Sequence, residues 1–285
     1  MSATQTETFS AADSEYMAHA LQLARRGRYT AHPNPRVGCV IVRDGEVVGS
    51  GWHRETGAEH AEIHALNEAG GAAKDATAYV TLEPCAHHGR TPPCCDALIA
   101  AGISRVVVAM RDPFEQVAGK GLDALRRAGV DVSCGLLQDT AATLNEGFVS
   151  RVSRGRPFVR LKVACSLDGC TAMADGHSQW ITGPQARADV QRLRAASGAI
   201  LTGIGTVLAD DPSLTVREPG LVARQPMRVI ADSRLRMPPS ACMLDLAGET
   251  LVFCLDDENR EALERRGATV CCIAGDGRLP LAAVL

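Results

Sequence analysis

Residues 77–95, TAYVTLEPCAHHGRTPPCC, together with the upstream triplet His60-Ala61-Glu62, decide the fold of the first half of this chain. The opening TAYVTL has the apolar content of a buried strand, and the segment that begins at Cys94 is predicted to be helical. One imidazole and two thiolates, from His60, Cys85 and Cys94, fill three positions of a tetrahedral zinc ion and leave the fourth for water. This donor set indicates a catalytic zinc site.

Glu62 is placed to move protons at such a site. It lies two residues from His60 at the start of a predicted helix, close to the metal without binding it. Because zinc lowers the pKa of water, the reaction needs a base that takes the water's proton and delivers it to a leaving amine. We predict that Glu62 is this general base.

Helical and strand patterns alternate on both sides of this stretch. Asp13 followed by apolar residues at helical spacing predicts a capped amphipathic helix. Asp44-Gly45, between the predicted strands Val37–Arg43 and Glu46–Trp52, favours a type I′ hairpin because both positions tolerate positive φ. The alternation predicts an α/β fold with helices covering a partly parallel sheet.

The arginine-rich run GFVSRVSRGRP (147–157) breaks this pattern, so we place a domain boundary there, with domains at 1–150 and 155–285. The second half is predicted to be α/β as well. It is predicted to begin with the strand FVRLKVACS and to continue with a helix that is capped by Thr182 and has Pro184 at its start. Further strands are predicted near 199–202, 227–231 and 250–254.

Composition excludes several classes of protein. The chain has 285 residues, a length that is typical of about two domains. It has 46% hydrophobic and 22% charged residues and a net charge of -3. This charge disfavours non-specific nucleic-acid binding, and no apolar stretch approaches the ~18 residues of a membrane span. The N-terminus does not resemble a signal peptide, and eleven cysteines, an odd number, favour reduced thiols. We expect a cytoplasmic protein.

The zinc residues resemble those of the zinc-dependent nucleobase and nucleotide deaminases, whose signature is H-x-E followed by P-C-x-x-C. Here eight residues separate Cys85 from Cys94, and the loop AHHGRTPP is similar to that of the bifunctional riboflavin-biosynthesis deaminase/reductase family. The resemblance covers roughly residues 13–240. It continues in HPNPRVGCVIV, DPFEQVAGKG, SLDG, SQWITGPQAR and TVLADDPSLTVR.

This resemblance implies a cytidine-deaminase-like domain with three α/β/α layers, followed by a dihydrofolate-reductase-like α/β domain. It implies zinc-dependent deamination of 2,5-diamino-6-ribosylamino-4(3H)-pyrimidinone 5′-phosphate to 5-amino-6-(5-phosphoribosylamino)uracil. The ribosyl group would then be reduced to ribityl with NADPH. The implied partner is this phosphorylated pyrimidine, with no nucleic acid or membrane, and the protein is expected to be a homo-oligomer.

The resemblance also assigns site residues. It implies zinc ligands at His60, Cys85 and Cys94, with Glu62 as the proton shuttle. From the residue types alone, Asn34 could equally be an ordinary turn residue, and the arginines could equally be solvated. The implied substrate contacts are Asn34, His53, His87, Arg90, Ser178, Arg194, Leu214 and Arg217. The implied NADPH contacts are Ala164, Trp180, Thr206, Asp210 and Ser233.

The chain departs from the family at its C-terminus. The family's reductase half continues into a strand that ends in a glutamate and a glycine-rich turn, whereas this sequence stops at Leu285, in LPLAAVL. The resemblance therefore predicts an incomplete reductase domain.

Two other functions remain open. A deaminase of a base in RNA, such as a tRNA adenosine, would need a basic groove and stacking aromatics, but the first half is net negative and has few aromatic residues. A non-enzymatic, zinc-stabilised binding module would give Glu62 no role and would leave the fourth zinc position without a protein ligand.

Overall fold

The computed structural model describes residues 8–86, 92–115, 117–218, 220–221 and 224–285. It divides the chain into two compact units, Met1–Phe158 and Val159–Leu285. Most of the arginine-rich run that we interpreted as a break between domains is helical, and it belongs to the first unit. Phe148 and Val149 on that helix pack against the first unit's core, which explains why the run does not form a linker.

A five-stranded mixed sheet forms the centre of the first unit. Its order is β2-β1-β3-β4-β5, with β1 antiparallel to both of its neighbours and β3, β4 and β5 parallel. The predicted hairpin between β1 and β2 is confirmed, and Asp44 and Gly45 have φ values of 52° and 82°. The strands are β1 (Gly38–Arg43), β2 (Glu46–Trp52), β3 (Thr77–Val80), β4 (Arg105–Val108) and β5 (Asp131–Cys134).

Helices cover both faces of this sheet. They are α1 (Ala11–Arg26), α2 (Ala61–Ala69), α3 (Cys94–Ala100), α4 (Lys120–Arg127), α5 (Gln138–Leu144) and α6 (Glu146–Arg154). Successive strand residues point to opposite faces, so Val106 and Val108 of β4 pack with α2, α3 and α4, while Val107 packs with α1 and α5. The predicted three-layer α/β/α arrangement is confirmed.

The first helix is capped, but it begins earlier than predicted, with Ser10 and not Asp13 at the N-cap. Its N-cap is Ser10, whose Oγ accepts a hydrogen bond from the backbone N–H of Asp13 at 3.0 Å. Asp13 is the third helical residue and accepts from the backbone N–H of Ser10 at 2.9 Å in return. Asp13 therefore completes a capping box, which satisfies two backbone donors at the start of the helix.

The second unit is built on a four-stranded parallel sheet of order β6-β7-β8-β9. Ile230, Val252, Met243 and Leu263 are fully buried in its core. Parallel strands flanked by helices confirm the predicted α/β class. The elements are α7 (Pro184–Ala195), β6 (Ala199–Gly203), α8 (Ile204–Asp210), β7 (Met227–Ala231), β8 (Thr250–Cys254), α9 (Arg260–Glu264), β9 (Thr269–Cys272) and α10 (Leu281–Val284).

Two predictions for the second half are wrong. FVRLKVACS forms neither helix nor strand, and its apolar side chains Val159, Leu161 and Val163 are more than half exposed. Alternating polarity makes a strand only where a neighbouring strand supplies hydrogen bonds. Among the described residues, β6 lies at the edge of the sheet and pairs with β7 alone. The N-cap of α7 is Gly183 and not Thr182, although Pro184 does begin the helix.

No helix in the described part of the chain combines the length and the hydropathy that a membrane span requires.

Candidate zinc centre

Three metal-binding side chains meet at one point of the first unit. The ligand atoms of His60, Cys85 and Cys94 all lie within 4.8 Å of one another. His60 Nδ1 is 3.2 Å from Cys94 Sγ and 3.7 Å from Cys85 Sγ. The structure thus brings together the three residues that the sequence predicted as zinc ligands.

Helix ends and a strand end position these ligands. His60 is the N-cap of α2, Cys94 is the first residue of α3, and Cys85 follows the buried strand β3 after a short connection. The backbone N–H of Cys94 donates to Cys85 Sγ at 3.3 Å, which joins the two thiol positions directly. The local fold therefore holds the two cysteines next to each other.

The distances and the donor set fit zinc. With Zn–S bonds of about 2.3 Å and Zn–N bonds of about 2.0–2.1 Å, tetrahedral ligand atoms lie about 3.3–3.8 Å apart. For a nitrogen and a sulfur ligand the expected separation is about 3.5 Å. The distances of 3.2 and 3.7 Å from His60 Nδ1 to the two Sγ atoms lie on either side of it, within about 0.4 Å. Among the described residues, this is the one group of three such side chains close enough to hold an ion.

Electrostatics already favour an anionic ligand at Cys85. Hydrogen bonds from the Cys94 thiol and then from His60 lower the pKa of the Cys85 thiol, against the opposing effect of burial. The same interaction with Cys85 raises the pKa of His60. Both directions favour an anionic sulfur at Cys85, which is the form of cysteine that binds a metal ion.

Glu62 lies beside the ligands and is almost completely buried, with 3% of its surface exposed. It is the second residue of α2, and its carboxylate interacts with the Cys94 thiol. Burial raises the pKa of Glu62 to about 7, although the nearby charge of His60 acts in the opposite direction. A carboxyl group with this pKa can both accept and donate a proton near neutral pH.

Asn34 and His53 adjoin the ligand cluster. His53 Nδ1 is 3.2 Å from the carbonyl oxygen of Glu59, so this nitrogen carries the proton and donates it. His53 Nε2 then accepts from Asn34 Nδ2 at 3.1 Å, which leaves the Asn34 amide oxygen available as an acceptor. The His53 and His60 rings meet edge to face at 5.7 Å. Two predicted substrate contacts are thus beside the zinc ligands, whereas His87 and Arg90 lie outside the described residues.

Glu83 is a residue whose role the sequence analysis missed. Its buried carboxylate accepts hydrogen bonds from the backbone N–H groups of Asp112, Gly119 and Gly121 at 3.1, 2.9 and 2.9 Å. Cys95 adds a second connection, because its buried thiol donates to the carbonyl oxygens of Pro84 and Gly121. The sequence did contain a signal for this role. Glu83 is an acidic residue directly after the predicted buried strand TAYVTL and two residues before Cys85.

In the second unit, two predicted contacts line one shallow pocket of about 360 Å³. Trp180, a predicted NADPH contact, and Arg217, a predicted substrate contact, both face it, and the Arg187 guanidinium stacks on the indole at 4.3 Å. The backbone N–H of Arg217 donates to Gln191 Oε1 at 2.9 Å. The pocket therefore combines an aromatic face with two arginines and one acidic residue, Glu218.

The neighbouring segment holds two more predicted substrate contacts. Arg194 donates to the carbonyl oxygen of Thr215 at 2.9 Å, and Arg217 donates to Ser213 Oγ at 3.0 Å. Leu214, between these residues, is buried in the core with a φ of 49°. Arg194, Leu214 and Arg217 are therefore brought together around one turn.

The predicted NADPH contacts are spread more widely. Thr206 and Ser233 follow the paired strands β6 and β7, so both lie at the carboxyl edge of the parallel sheet, where such sheets bind ligands. Asp210 is the last residue of α8. Ala164 lies with Ser178, a predicted substrate contact, on a largely exposed segment outside helices and strands.

Known protein families match both halves of the chain. The family "Cytidine and deoxycytidylate deaminase zinc-binding region" matches residues 10–110, and "RibD C-terminal domain" matches residues 157–285. The chain is 58% identical over 260 residues to the riboflavin biosynthesis protein RibD of Escherichia coli, covering 87% of this chain and 71% of that protein.

Two solved structures are similar over nearly the whole chain. Acinetobacter baumannii RibD has a TM-score of 0.87 at 50% identity, covering 93% of this chain and 74% of that one. The Thermotoga maritima diaminohydroxyphosphoribosylaminopyrimidine deaminase/5-amino-6-(5-phosphoribosylamino)uracil reductase has a TM-score of 0.82 at 36% identity, covering 93% of this chain and 81% of that one. The chain belongs to the RibD family of riboflavin-biosynthesis deaminase/reductases.

Proposed function

We propose that the first unit catalyses the zinc-dependent hydrolytic deamination of 2,5-diamino-6-ribosylamino-4(3H)-pyrimidinone 5′-phosphate. The observation that carries this proposal is the cluster of His60, Cys85 and Cys94 with the buried, non-ligating Glu62 beside it. Three protein ligands leave one tetrahedral position for water, as a catalytic zinc site requires. The product is 5-amino-6-(5-phosphoribosylamino)uracil.

Glu62 moves the protons of this reaction. Zinc, when bound by the three ligands, supplies the positive charge that activates a water for attack. Glu62 accepts a proton from this water while the water oxygen bonds to the ring carbon that carries the 2-amino group. Glu62 then gives the proton to the amino nitrogen, the C–N bond breaks, and ammonia leaves.

Asn34 and His53 hold the ring in place for this attack. Because His53 accepts from the Asn34 amide nitrogen, the amide is oriented with its oxygen free to accept from a ring or amino N–H of the substrate. Burial lowers the pKa of His53, which keeps the imidazole neutral and preserves this orientation. His87 and Arg90 are proposed as further contacts of the pyrimidine and its phosphate.

We propose that the second unit reduces the ribosyl group of this product to ribityl with NADPH. The support is the carboxyl edge of the parallel sheet, with Thr206 and Ser233, and the pocket with Trp180 and Arg217. Arginine donors suit the phosphate of the product or the cofactor. Ala164 and Asp210 complete the proposed NADPH contacts, and Ser178, Arg194 and Leu214 those of the substrate.

The cytoplasm is the proposed location, and a homo-oligomer is the proposed state. All eleven cysteines are free thiols in the structure, which suits a reducing compartment. An RNA-base deaminase is not favoured, because the similar proteins are RibD proteins over most of this chain. A zinc-stabilised binding module gives no reason for a buried carboxyl group beside the ligands.

Ammonia release by the zinc-loaded full chain tests this function. We expect Glu62→Gln to keep its zinc and to lose at least a hundredfold in kcat for deamination, since general acid/base groups contribute on the order of 10²–10⁴-fold. Zinc content is measured on the same samples by atomic emission. Unchanged turnover in the zinc-loaded variant would refute the role of Glu62.

A further inference from the structure

Cys254 and Cys272 form a close pair of thiols in the second unit, and neither residue has a role assigned above. They are the last residues of the neighbouring strands β8 and β9 and lie opposite each other in the parallel register. Their Sγ atoms are 2.9 Å apart. The backbone N–H of Ile273 donates to the carbonyl oxygen of Cys254 at 2.9 Å, so the ladder continues past the pair and holds it.

This geometry suits a disulfide. Neighbouring strands are about 4.8 Å apart, within the range of about 4.4–6.8 Å between the Cα atoms of bonded cysteines. Side chains at paired positions of parallel strands project from the same face of the sheet. The Sγ–Sγ distance of 2.9 Å exceeds the length of a disulfide bond, about 2.05 Å, by less than 1 Å. Bond formation therefore needs only a small movement of the side chains.

The two thiols differ in accessibility. Cys254 is completely buried in the core of the second unit, whereas Cys272 is exposed at the edge strand β9. Burial, together with the hydrogen bond to Cys272, raises the pKa of Cys254 to about 12. A reagent in solution therefore reaches Cys272 first, and Cys254 is the neighbour that can react with the modified sulfur.

We propose that Cys254 and Cys272 are a modification site: a dithiol that small-molecule disulfides of the glutathione type oxidise to an intrachain disulfide. The Cys272 thiolate attacks one sulfur of the small disulfide, forms a mixed disulfide and releases one small thiolate, which is protonated by solvent. Cys254 then loses its proton to solvent and attacks the Cys272 sulfur, which releases the second small thiol. Two protein thiols are oxidised and one small disulfide is reduced.

The pair lies where oxidation can affect the ligand-binding edge of the sheet. The residue after Cys254, Leu255, donates its backbone N–H to the carbonyl oxygen of Ser233 at 3.1 Å. Leu279, in the segment after β9, donates to Ser233 Oγ at 3.3 Å. A bond between the two strand ends would therefore fix the segments that contact Ser233. Formation of the disulfide does not depend on the proposed reductase activity.

Peptide mapping of the full chain tests this site. The zinc-loaded protein is incubated with oxidised glutathione, its remaining thiols are alkylated, and it is digested with trypsin. We expect peptides 237–260 and 267–278 to be recovered as one species that lacks two hydrogen atoms, with fragmentation placing the bond between Cys254 and Cys272. The untreated protein should give the two peptides separately, both alkylated.

Cys271 supplies a matched control, because it is the adjacent residue of β9 and its side chain points to the opposite face. Cys271→Ser should retain the cross-linked species, and Cys272→Ser should lose it; this second substitution is at an exposed position, so the fold should tolerate it. The proposal is overturned if the wild-type chain accumulates a stable glutathione adduct on Cys272 with Cys254 still free. A cross-link that survives Cys272→Ser would overturn it equally.

Discussion

At the scale of single residues, Asp13 shows how one carboxylate joins three elements. Its Oδ1 accepts from Arg105 of β4 at 2.7 Å and from the Tyr79 hydroxyl of β3 at 2.8 Å, while Oδ2 closes the capping box with Ser10. Burial alone would raise the pKa of Asp13, but the hydrogen bonds from Arg105, Ser10 and Tyr79 outweigh it and hold the pKa well below its usual range.

This network predicts a pH-dependent contribution to stability. Because the folded-state pKa is depressed, the stabilisation is fully present above the unfolded-state pKa of about 4 and is lost as the pH falls below it. Asp13→Asn should lower the free energy of unfolding by about 2 kcal/mol at neutral pH, and the difference from wild type should shrink below pH ~4. Denaturant unfolding at several pH values measures it.

Asp131→Asn is the matched control for this prediction. Asp131 also lies near Arg105, at 3.6 Å, but its side chain is 72% exposed. Surface ion pairs of this kind contribute little, so we expect a change below about 1 kcal/mol at every pH. Equal losses in the two variants would contradict the buried network at Asp13.

Substitution of Glu83 should reduce both the stability of the first unit and its affinity for zinc. In Glu83→Gln, an amide NH₂ would face backbone donors in a buried site, so at least one of them would lose its acceptor. We expect a loss of about 1–3 kcal/mol in unfolding free energy and weaker zinc binding, because Glu83 holds the segment that leads to Cys85. Zinc competition with a chromogenic chelator and denaturant unfolding measure the two effects.

The same substitution at Glu68 serves as the control. Glu68 also accepts from a backbone N–H, that of Ser50 at 2.8 Å, but at an exposed site where water can replace the lost bond. Glu68→Gln should leave zinc affinity unchanged. If Glu83→Gln also binds zinc as wild type does, Glu83 does not position the centre.

The zinc residues were predictable from the sequence because metal chemistry restricts residue types and short spacings. His60, Glu62 and the two cysteines needed no knowledge of long-range packing. Glu83 was not predictable in the same way, since its donors are backbone groups 29 to 39 residues away in sequence. Any residue type other than proline has a backbone N–H, so the sequence does not show which residues donate to Glu83. Their contact with Glu83 can be seen only in the folded structure.

At the scale of elements, α2 reaches the site by packing closely on β2. A Cβ atom on Gly51 would lie 2.2 Å from the carbonyl oxygen of Ala61 and 2.7 Å from the Cβ of His64. Ala61 stands between His60 and Glu62, so the spacing of helix and strand fixes both a ligand and the general base. A larger residue at position 51 must push the helix start outward.

Gly51→Ala should therefore impair catalysis as well as stability. We expect a loss of about 1–3 kcal/mol from overpacking, and a fall in kcat of tenfold to a hundredfold because small displacements at a catalytic site are costly. Steady-state deamination and thermal unfolding measure these changes. Gly147→Ala, in α6 with no heavy atom within 4 Å of the added Cβ, should leave kcat unchanged.

Local signals predicted some elements better than others. Asp44-Gly45 determined a hairpin because its two residues tolerate the required backbone angles. The strand prediction for FVRLKVACS was wrong because the alternation of apolar and polar residues describes side chains only. A strand also needs backbone hydrogen bonds to a neighbouring strand. The N-cap of α7 was predicted at Thr182 from its side chain, but Gly183 occupies that position. Gly183 has the extended φ and ψ of an N-cap residue and no capping side chain, so the residue type did not reveal it.

At the scale of the whole molecule, the sequence indicated two α/β regions with metal chemistry confined to the first. The structure divides the chain after Phe158 and places the zinc ligands, Glu62, Asn34 and His53 in one unit. The predicted contacts of the second unit are less concentrated, because residues from several strand ends and turns contribute. Their roles depend on cofactor and substrate, which residue types alone do not specify.

Zinc X-ray absorption on the full chain can show whether the first unit holds a catalytic zinc centre with an open position. We predict two sulfur neighbours at about 2.3 Å and two nitrogen or oxygen neighbours at about 2.0–2.1 Å, with the outer-shell scattering of a single imidazole. One light neighbour is then His60 and the other is solvent. A spectrum with three sulfurs, or with two imidazoles, would show four protein ligands and rule out the open position.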